Sequence, residues 1–248
     1  MLSVSLLAAF PDLVEHALDY GVTGRARERG LWRWRGFGLH EFANDTRKSI
    51  DARPAAGGPG MVLMAGPLDR ALTAAREWHG AAPTVVFLSP DGAPLTQPRV
   101  RDFAQTPHLC FVAGRYEGID QRWIDGNVDA VVSLGDYVLS GGELAAAVVV
   151  DACIRLLPGA LGDNESTAFE SFADDQGGWL DWPQYALTVG DEPLPLGLSG
   201  GDHSVIQRWR LKQALARTWR RRPDLLARAK LSLEERALID EIALESKA

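Results

Sequence analysis

The chain has 248 residues, of which 46% are hydrophobic, so it is long enough for one large or two modest domains with a real core. No stretch approaches the roughly 18 apolar residues that a membrane-spanning helix requires. The net charge is -7, and the two cysteines, Cys110 and Cys153, form no CxxC pair. We therefore expect a globular, disulfide-free protein of the cytoplasm that has no membrane partner.

The amino-terminal part predicts strands and helices in alternation. Residues 1–10 are apolar but lack a basic start, which favours a first strand over a signal peptide. Residues 12–19 have apolar side chains at helical spacing, and the glycine-bearing residues 20–24 are expected to end that helix. The alternation of apolar and basic side chains in residues 31–37 predicts a half-exposed strand. Residues 67–78 predict a helix.

Three short runs of apolar residues each lead into a loop that contains glycine. Continuous runs of this kind are typical of strands that are buried on both faces of a parallel sheet. Because parallel strands end along one edge of a sheet, ligands of α/β folds bind in the loops there. We therefore predict an α/β fold with a parallel sheet and a binding site where the three loops meet. The runs and their loops are residues 84–88 and 89–92, 109–113 and 114–118, and 129–132 and 133–142.

The composition of the loops favours a flat heterocyclic ligand over a nucleotide phosphate. The loops contain no G-x-x-x-x-G-K-[ST] and no G-x-G-x-x-G in a strand-to-helix context. Their glycines allow close approach of the backbone, Glu117 supplies a carboxylate, and leucine and tyrosine side chains supply apolar walls. Each glycine taken alone is also explained by the requirements of a tight turn.

A long apolar helix is predicted for residues 143–157, directly after the third loop. Ser140 and Glu143 have the spacing of a capping box, and Pro158 and Gly159 follow as stop signals. The amino end of this helix is therefore expected to point at the glycine loops.

The composition changes after this helix and indicates a domain boundary. Residues 160–202 are polar and rich in proline and glycine, which is typical of a linker. A basic helical segment follows, with a break at Pro223, and an amphipathic helix is predicted for residues 232–244. We predict an α/β domain over residues 1–160, a linker over residues 161–178 and a basic helical domain over residues 179–248.

The carboxyl-terminal segment carries concentrated positive charge in an otherwise acidic chain. Residues 208–230 contain nine basic residues and one acidic residue, Asp224. Because salt confines the influence of a charge to roughly 8 Å, this patch matters more for binding than the net charge does. One interpretation is a solvated helix face; the other, favoured by Trp209 and Trp219 among the arginines, is a surface that binds RNA. The candidate RNA contacts are Arg208, Arg210, Lys212, Arg217 and Arg220.

Six strings of residues carry a resemblance to a known family. They are Gly57-Gly-Pro-Gly-Met61, Leu88-Ser-Pro-Asp-Gly92, Gly114-Arg-Tyr-Glu-Gly-Ile-Asp120, Ser133-Leu-Gly-Asp-Tyr-Val-Leu-Ser-Gly-Gly-Glu143, Leu180-Asp-Trp-Pro-Gln-Tyr185 and Trp209-Arg-Leu-Lys-Gln213. In order and spacing they resemble the bacterial tRNA (guanine-N1)-methyltransferases of the SPOUT superfamily. The resemblance runs from about Val4 to Leu226, and the strings that begin at Gly114 and Ser133 are long and specific.

The resemblance implies methyl transfer from S-adenosylmethionine to N1 of the guanosine 3′ to the anticodon, at tRNA position 37. It implies an α/β domain with a deep trefoil knot, joined to a smaller helical carboxyl-terminal domain. It also implies a homodimer with its active site at the subunit interface, and tRNA as the partner. It further implies a requirement for Mg²⁺, whose protein ligands are not assigned. The cofactor contacts carried over from the family are Leu88, Gly114, Glu117, Leu134, Gly135, Tyr137, Leu139, Gly141 and Gly142.

The reaction itself requires a base and a cation. Guanine N1 carries a proton at neutral pH, so a base must remove that proton while a cation stabilises the charge that moves onto O6. By resemblance, Glu170 is the base and Arg155 is the cation. Without the resemblance, Glu170 is interpreted as an exposed linker carboxylate, and Arg155 as a helix-end cation favoured by the helix dipole.

The chain departs from the family pattern at identifiable positions. Glu170 stands where the family usually has aspartate, and Ala52 and Ala55 replace an acidic and an aromatic residue. After Tyr185, Ala-Leu-Thr stands where the family tends to have Thr-Arg-Pro. Two alternatives stay open: a knotted methyltransferase for another RNA position, such as a ribose 2′-hydroxyl, and an RNA-binding protein without catalytic activity.

Overall fold

The chain divides into two compact units, Met1–Gly162 and Asp163–Ala248. The first is an α/β unit with a parallel sheet, as the sequence predicts, and the described part of the second contains helices. No helix in the described part of the chain is long and apolar enough to cross a membrane. The computed structural model describes residues 1–55, 57–162, 167–173, 177–186, 194–199 and 201–246.

A parallel sheet forms the centre of the first unit. The strands of this unit are β1 (Leu2–Ala8), β2 (Trp32–Gly38), β3 (Asp51–Ala52), β4 (Val62–Leu63), β5 (Thr84–Pro94), β6 (His108–Ala113) and β7 (Ala130–Ser133). Five of them form the sheet in the order β2-β1-β6-β5-β7, in which all neighbouring strands are parallel. β3 and β4 form a separate antiparallel pair. The helices are α1 (Pro11–Leu18), α2 (Gly21–Glu28), α3 (Ala65–His79), α4 (Gln97–Gln105), α5 (Gln121–Asn127) and α6 (Glu143–Ile154), with a 3₁₀ turn over Leu39–Phe42.

Apolar side chains cover both faces of this sheet. Successive residues of a strand point to opposite faces, so a strand buried on both sides needs a continuous apolar run. On β6, Leu109 and Phe111 belong to the core cluster of one face, and Cys110 and Val112 belong to that of the other. Cys110 and Cys153 are buried free thiols, and burial raises the pKa of each to about 12.

The structure adds detail at the ends of two predicted elements. The first helix ends at Leu18, as predicted, but a second helix that was not predicted follows at once: Gly21, at φ 66°, makes a turn that glycine favours and begins α2. The first of the three apolar runs extends further than predicted: β5 does not stop at Leu88 but continues to Pro94. After a register shift between Leu88 and Ala93, it pairs with β7 a second time.

The described part of the second unit is helical around an aromatic and aliphatic core. Its helices are α7 (Leu196–Ser199), α8 (His203–Arg221), α9 (Pro223–Arg228) and α10 (Leu233–Glu245). The core contains Trp179, Trp182, Leu215, Leu238 and Ile242. The break at Pro223 falls between α8 and α9, and α10 begins at a capping box in which Ser232 and Glu235 bond each other's backbone N–H groups.

The described residues of the predicted linker are tied to the segment that follows them. The N–H of Phe172 donates to the carbonyl of Trp179 at 2.8 Å, and the N–H of Asp181 donates to Ser171 Oγ at 3.0 Å. Trp179 itself is only 4% exposed. These bonds fix the backbone around Glu170 within the second unit.

A buried histidine, His79, and a half-buried one, His108, lie next to each other at the end of the sheet where β6 begins. His79 is 6% exposed, its Nε2 is hydrogen-bonded to Ser5 Oγ at 2.9 Å, and its ring centroid lies 5.4 Å from that of His108. Burial lowers the pKa of His79 from 6.5 to about 4, and the nearby His108 and Arg33 contribute to this shift. The imidazole is therefore neutral in the folded protein at neutral pH.

We expect this histidine to make stability depend on pH between about 6.5 and about 4. As pH falls through this window, His79 becomes protonated in the unfolded chain but stays neutral in the folded protein. The free energy of unfolding therefore decreases, by roughly 3 kcal/mol at most. Urea unfolding at about pH 7 and about pH 4.5 measures the loss. His79→Gln is expected to flatten the dependence, whereas His16→Gln, at an exposed position, is expected to leave it unchanged. Equal slopes in His79→Gln and wild type contradict this assignment.

Candidate active site

One cavity lies at the carboxyl ends of β6 and β7 and beside residues 87–90 within β5, where the sequence predicts a binding site. Its volume is about 270 Å³, and its walls come from this part of β5, the loop after β6, the end of β7 with the loop that follows it, and Ala145 of α6. All of the residues predicted to contact the cofactor line it: Leu88, Gly114, Glu117, Leu134, Gly135, Tyr137, Leu139, Gly141 and Gly142. The topology therefore brings these side chains and backbone segments together.

Backbone contacts hold the second and third loops against each other. The N–H of Gly142 donates to the carbonyl of Gly114 at 2.9 Å, and Arg115 and Gly141 form an isolated antiparallel bridge. A Cβ at position 142 would lie 2.8 Å from the Cα of Ala113. Only glycine fits at this contact without displacing the backbone.

The glycine-rich loop before β4 also reaches this cavity wall. The N–H of Glu117 donates to the carbonyl of Met61 at 2.9 Å. Gly60 adopts φ 83°, a conformation that glycine favours, and a Cβ there would lie 2.5 Å from Cγ of Glu117. The loop therefore packs directly against the acidic side chain of the site.

A partly buried ion pair, in which one partner lines the cavity, was not predicted. Arg115 Nε donates to Glu143 Oε1 at 2.9 Å, and the Glu143 side chain is 1% exposed. The N–H of Phe10 donates to the same oxygen at 3.3 Å, and the Arg115 guanidinium lies 4.6 Å from the centre of the Phe10 ring. A Cβ at Gly141 would lie 2.5 Å from Glu143 Oε2 and 2.9 Å from Arg115 Nε, so a larger residue in the third loop would displace this pair.

The predicted capping box is wrong, because the Arg115–Glu143 ion pair forms in its place. Gly142 is the N-cap of α6, and no side chain caps this helix. Glu143 is its first residue, and the carboxylate turns to Arg115 instead of back to Ser140. The helix also ends at Ile154, with Arg155 as its C-cap, earlier than predicted. The position of Arg115 within the Gly114 string was the available signal for its importance, but its partner stands 28 residues away.

Removing Arg115 is expected to destabilise the first unit strongly. Arg115→Met leaves the Glu143 carboxylate buried without its cation, which costs about 3–5 kcal/mol in the free energy of unfolding. The double variant Arg115→Met/Glu143→Gln removes the charge as well, so we expect it to recover about half of that loss. Urea unfolding of the two single variants and the double variant measures the coupling. A loss below about 1 kcal/mol in Arg115→Met contradicts a strong pair.

The two predicted catalytic residues belong to different units. Arg155 is half-buried at the end of α6, and its N–H donates to the carbonyl of Asp151 at 3.2 Å. Glu170 is half-buried in the second unit, and its carbonyl accepts the N–H of Ala173 at 3.1 Å. The fold thus does not bring the two side chains together within one unit.

Two of the predicted RNA contacts are engaged with α10. Arg208 pairs with Glu241 at 2.8 Å and with Glu234 at 3.8 Å. Lys212 pairs with Glu241 at 3.1 Å and with Glu245 at 2.7 Å, and the hydrogen bond to Glu245 raises the pKa of Lys212. The acidic side chains of α10 therefore offset part of the positive charge that the sequence placed on α8.

The other three predicted RNA contacts have different surroundings. The Arg210 guanidinium lies 4.9 Å from the centre of the Trp182 ring. Arg217 Nη1 donates to the carbonyl of Asp181 at 3.1 Å. Arg220 is exposed, and no carboxylate pairs with it in the described part of the chain. The unneutralised charge of α8 is therefore concentrated at Arg210 and near its carboxyl end.

Comparison with known proteins identifies the family of this chain. A family model described as tRNA (Guanine-1)-methyltransferase TrmD matches residues 2–228. The tRNA (guanine-N(1)-)-methyltransferase of Halorhodospira halophila is 47% identical over 247 residues, which cover 99% of this chain and 92% of the relative. That of Alcanivorax borkumensis is 46% identical over 248 residues, 98% and 93% of the two chains, and that of Pseudomonas putida is 45% identical over 246 residues, 98% and 97%. The chain belongs to the tRNA (Guanine-1)-methyltransferase TrmD family.

Proposed function

We propose that this protein transfers a methyl group from S-adenosylmethionine to N1 of the guanosine 3′ to the anticodon, at tRNA position 37. The observation that carries the proposal is the cavity, whose walls contain every residue matched to a family cofactor contact. Membership of the family supports the reaction class. The retained glycines and Glu117 argue against an RNA-binding protein that has lost its activity.

The cavity residues suit the chemistry of this cofactor. Leu88, Leu134 and Leu139 offer apolar contacts to an adenine ring, and the glycines let backbone amides and carbonyls approach its polar edge. Glu117 is exposed at the cavity wall and offers a carboxylate to a hydroxyl or ammonium group. When bound, S-adenosylmethionine supplies an electrophilic methyl group on a sulfonium.

Glu170 and Arg155 act on the guanine. Glu170 accepts the N1 proton, which frees the N1 lone pair to form the new N–C bond as the methyl–sulfur bond breaks. Arg155 stabilises the charge that spreads onto O6 during this step. The proton then leaves Glu170 for solvent, which restores the base.

One face of α6, which carries two exposed apolar residues, supports the homodimer in this proposal. Successive spacings of four, three and four residues place the following side chains on one face of α6 and its C-cap: Leu144, Val148, Asp151 and Arg155. Leu144 and Val148 are about half exposed, although the rest of α6 is largely buried. We propose that a second copy covers this face, which places Arg155 at the subunit interface.

Replacing the two exposed apolar residues of this face by glutamate is expected to dissociate the dimer. Leu144→Glu/Val148→Glu places carboxylates in the proposed interface, where their desolvation opposes association. Sedimentation equilibrium is expected to give a monomer for this variant and a dimer for wild type. Leu233→Glu changes a more exposed leucine of the second unit and is expected to remain dimeric. A wild-type monomer, or a dimeric double variant, contradicts the interface.

The knot and the domain bounds are part of the same proposal. We propose a deep trefoil knot in the first unit, with residues 1–160 as its domain, residues 161–178 as the connection and residues 179–248 as the tRNA-binding domain. The close contact between β5 and β7 supports it: a Cβ at Gly92 would lie 2.4 Å from the backbone nitrogen of Val132. The exposed cations Arg210 and Arg220 would bind tRNA phosphates, with Arg208, Lys212 and Arg217 beside them.

Mg²⁺ stays a proposed requirement without an assigned site. In the described part of the chain, no group of three or more histidine, cysteine, aspartate or glutamate side chains is arranged to hold a metal ion. A dependence of methyl transfer on added Mg²⁺ after EDTA treatment tests the requirement. We propose the cytoplasm as the location because the tRNA substrate is found there.

Methyl transfer to two matched transcripts tests the proposed function. Labelled S-adenosylmethionine is incubated with the protein and an unmodified tRNA that carries either G or A 3′ to the anticodon. Label is expected in the G transcript alone. Equal labelling of both transcripts, or none in either despite cofactor binding, overturns the proposal.

A further inference from the structure

A second cavity lies entirely within the second unit and has aromatic walls. Its volume is about 280 Å³, and Phe169, Trp179, Trp182 and Arg210 contribute to its lining. We propose that it is a subsite for an unstacked nucleobase of the tRNA anticodon loop, next to the target guanosine. This inference rests on the proposed tRNA substrate but not on the identity of the methylated atom.

The aromatic side chains of this cavity differ in exposure. Trp179 and Trp182 are 4% and 9% exposed and belong to the helical core. Phe169 is 51% exposed, and its ring centroid lies 6.4 Å from that of Trp182 at an interplanar angle of 54°. A buried tryptophan wall and an exposed phenylalanine thus border an open space that an aromatic ring could enter.

The charges favour a nucleobase over an apolar peptide side chain. The Arg210 guanidinium lies over Trp182 at 4.9 Å, and no carboxylate pairs with it in the described part of the chain. An exposed cation beside aromatic faces suits a ligand that joins a flat ring to a phosphate. Gln207 and Glu235 also line the cavity, so polar groups are available for the edge of a base.

The position of Phe169 indicates which base enters. Phe169 immediately precedes Glu170, the proposed base for the N1 proton. The backbone here is fixed, because Phe172 and Ala173 bond to Trp179 and Glu170. A base that stacks on Phe169 therefore belongs to a nucleotide adjacent to the target guanosine. Holding that neighbour out of the anticodon stack would also help to expose the target, since each unstacked step costs a few kcal/mol.

Fluorescent base substitution tests the subsite. Anticodon stem-loops carry 2-aminopurine in place of the nucleotide on either side of the target, and fluorescence is recorded with wild type, Phe169→Ala and Phe169→Trp. One flanking position is expected to be quenched by stacking in wild type and in Phe169→Trp but not in Phe169→Ala. Loss of one base stack, about 1–3 kcal/mol, corresponds to a 5- to 150-fold weaker affinity for RNA in Phe169→Ala.

A matched control and an independent assay separate the possible outcomes. Leu244→Ala removes an apolar side chain that is 70% exposed in the same unit and does not line the cavity, so its RNA affinity is expected to match wild type. Unchanged quenching and affinity in Phe169→Ala overturn the subsite, while methyl transfer by wild type shows separately whether the proposed function holds. Equal weakening in Leu244→Ala also overturns it, because the effect would then not belong to this cavity.

Discussion

Replacing Glu170 by glutamine is expected to lower methyl transfer by about 10²–10⁴-fold, because no other group would then remove the N1 proton at the required position. The affinity for S-adenosylmethionine is expected to stay unchanged, since the cavity residues belong to the first unit and Glu170 to the second. Single-turnover kinetics with saturating tRNA measures the chemical step, and calorimetric titration measures cofactor affinity. Near wild-type turnover in Glu170→Gln would show that another group is the base.

Two control variants make this result specific. Asp240→Asn removes an exposed carboxylate of the same unit and is expected to keep full activity. Glu170→Asp restores the residue that the family usually has but shortens the side chain by one methylene. Because a misplacement of about 1 Å can cost about 10²-fold in rate, we expect this variant to fall between wild type and Glu170→Gln. An Asp variant faster than wild type would show that the site is built for the shorter side chain.

Replacing Gly142 by alanine is expected to weaken S-adenosylmethionine binding by about tenfold or more, because the new Cβ would lie 2.8 Å from the Cα of Ala113 and displace the third loop from the second. The displacement would also break the bond from the Gly142 N–H to the carbonyl of Gly114. Overpacking of this kind lowers the free energy of unfolding by about 1–3 kcal/mol. Calorimetric titration and urea unfolding measure the two effects.

Gly126 provides the matched control for this substitution. It lies within α5, and a Cβ there would meet nothing within 4 Å. Gly126→Ala is therefore expected to keep wild-type cofactor affinity and to raise the free energy of unfolding by up to about 1 kcal/mol, as helix propensity predicts. Wild-type affinity in Gly142→Ala would contradict the close contact between the loops.

The strands of the sheet could be predicted because each is encoded by the residue pattern within its own short segment. After Thr84 and Asp129, the runs at residues 84–88, 109–113 and 129–132 are continuously apolar, and a strand covered on both faces needs that pattern. Their loops meet because parallel strands end along one edge, so the cavity follows from the fold once the strands are assigned.

Other features depend on contacts between distant residues and could not be predicted. The spacing of Ser140 and Glu143 is that of a capping box, but Arg115 captures the Glu143 carboxylate instead. The second pairing of β5 with β7 depends on the register between two strands, which sequence alone does not specify. Likewise, the positive charge of Arg208 is visible in the sequence, whereas its pairing with Glu241 depends on how α8 and α10 pack.

Identification of the methylated nucleoside distinguishes methylation at guanine N1 from a reaction at another RNA atom. The G-containing transcript is methylated by the wild-type protein, digested to nucleosides and analysed by chromatography with mass spectrometry. We expect N1-methylguanosine as the product, formed about 10²–10⁴-fold more slowly by Glu170→Gln under the same conditions. A 2′-O-methylated nucleoside would contradict it and show a reaction at the ribose, and an unmethylated transcript bound with high affinity would show an RNA-binding protein without this activity.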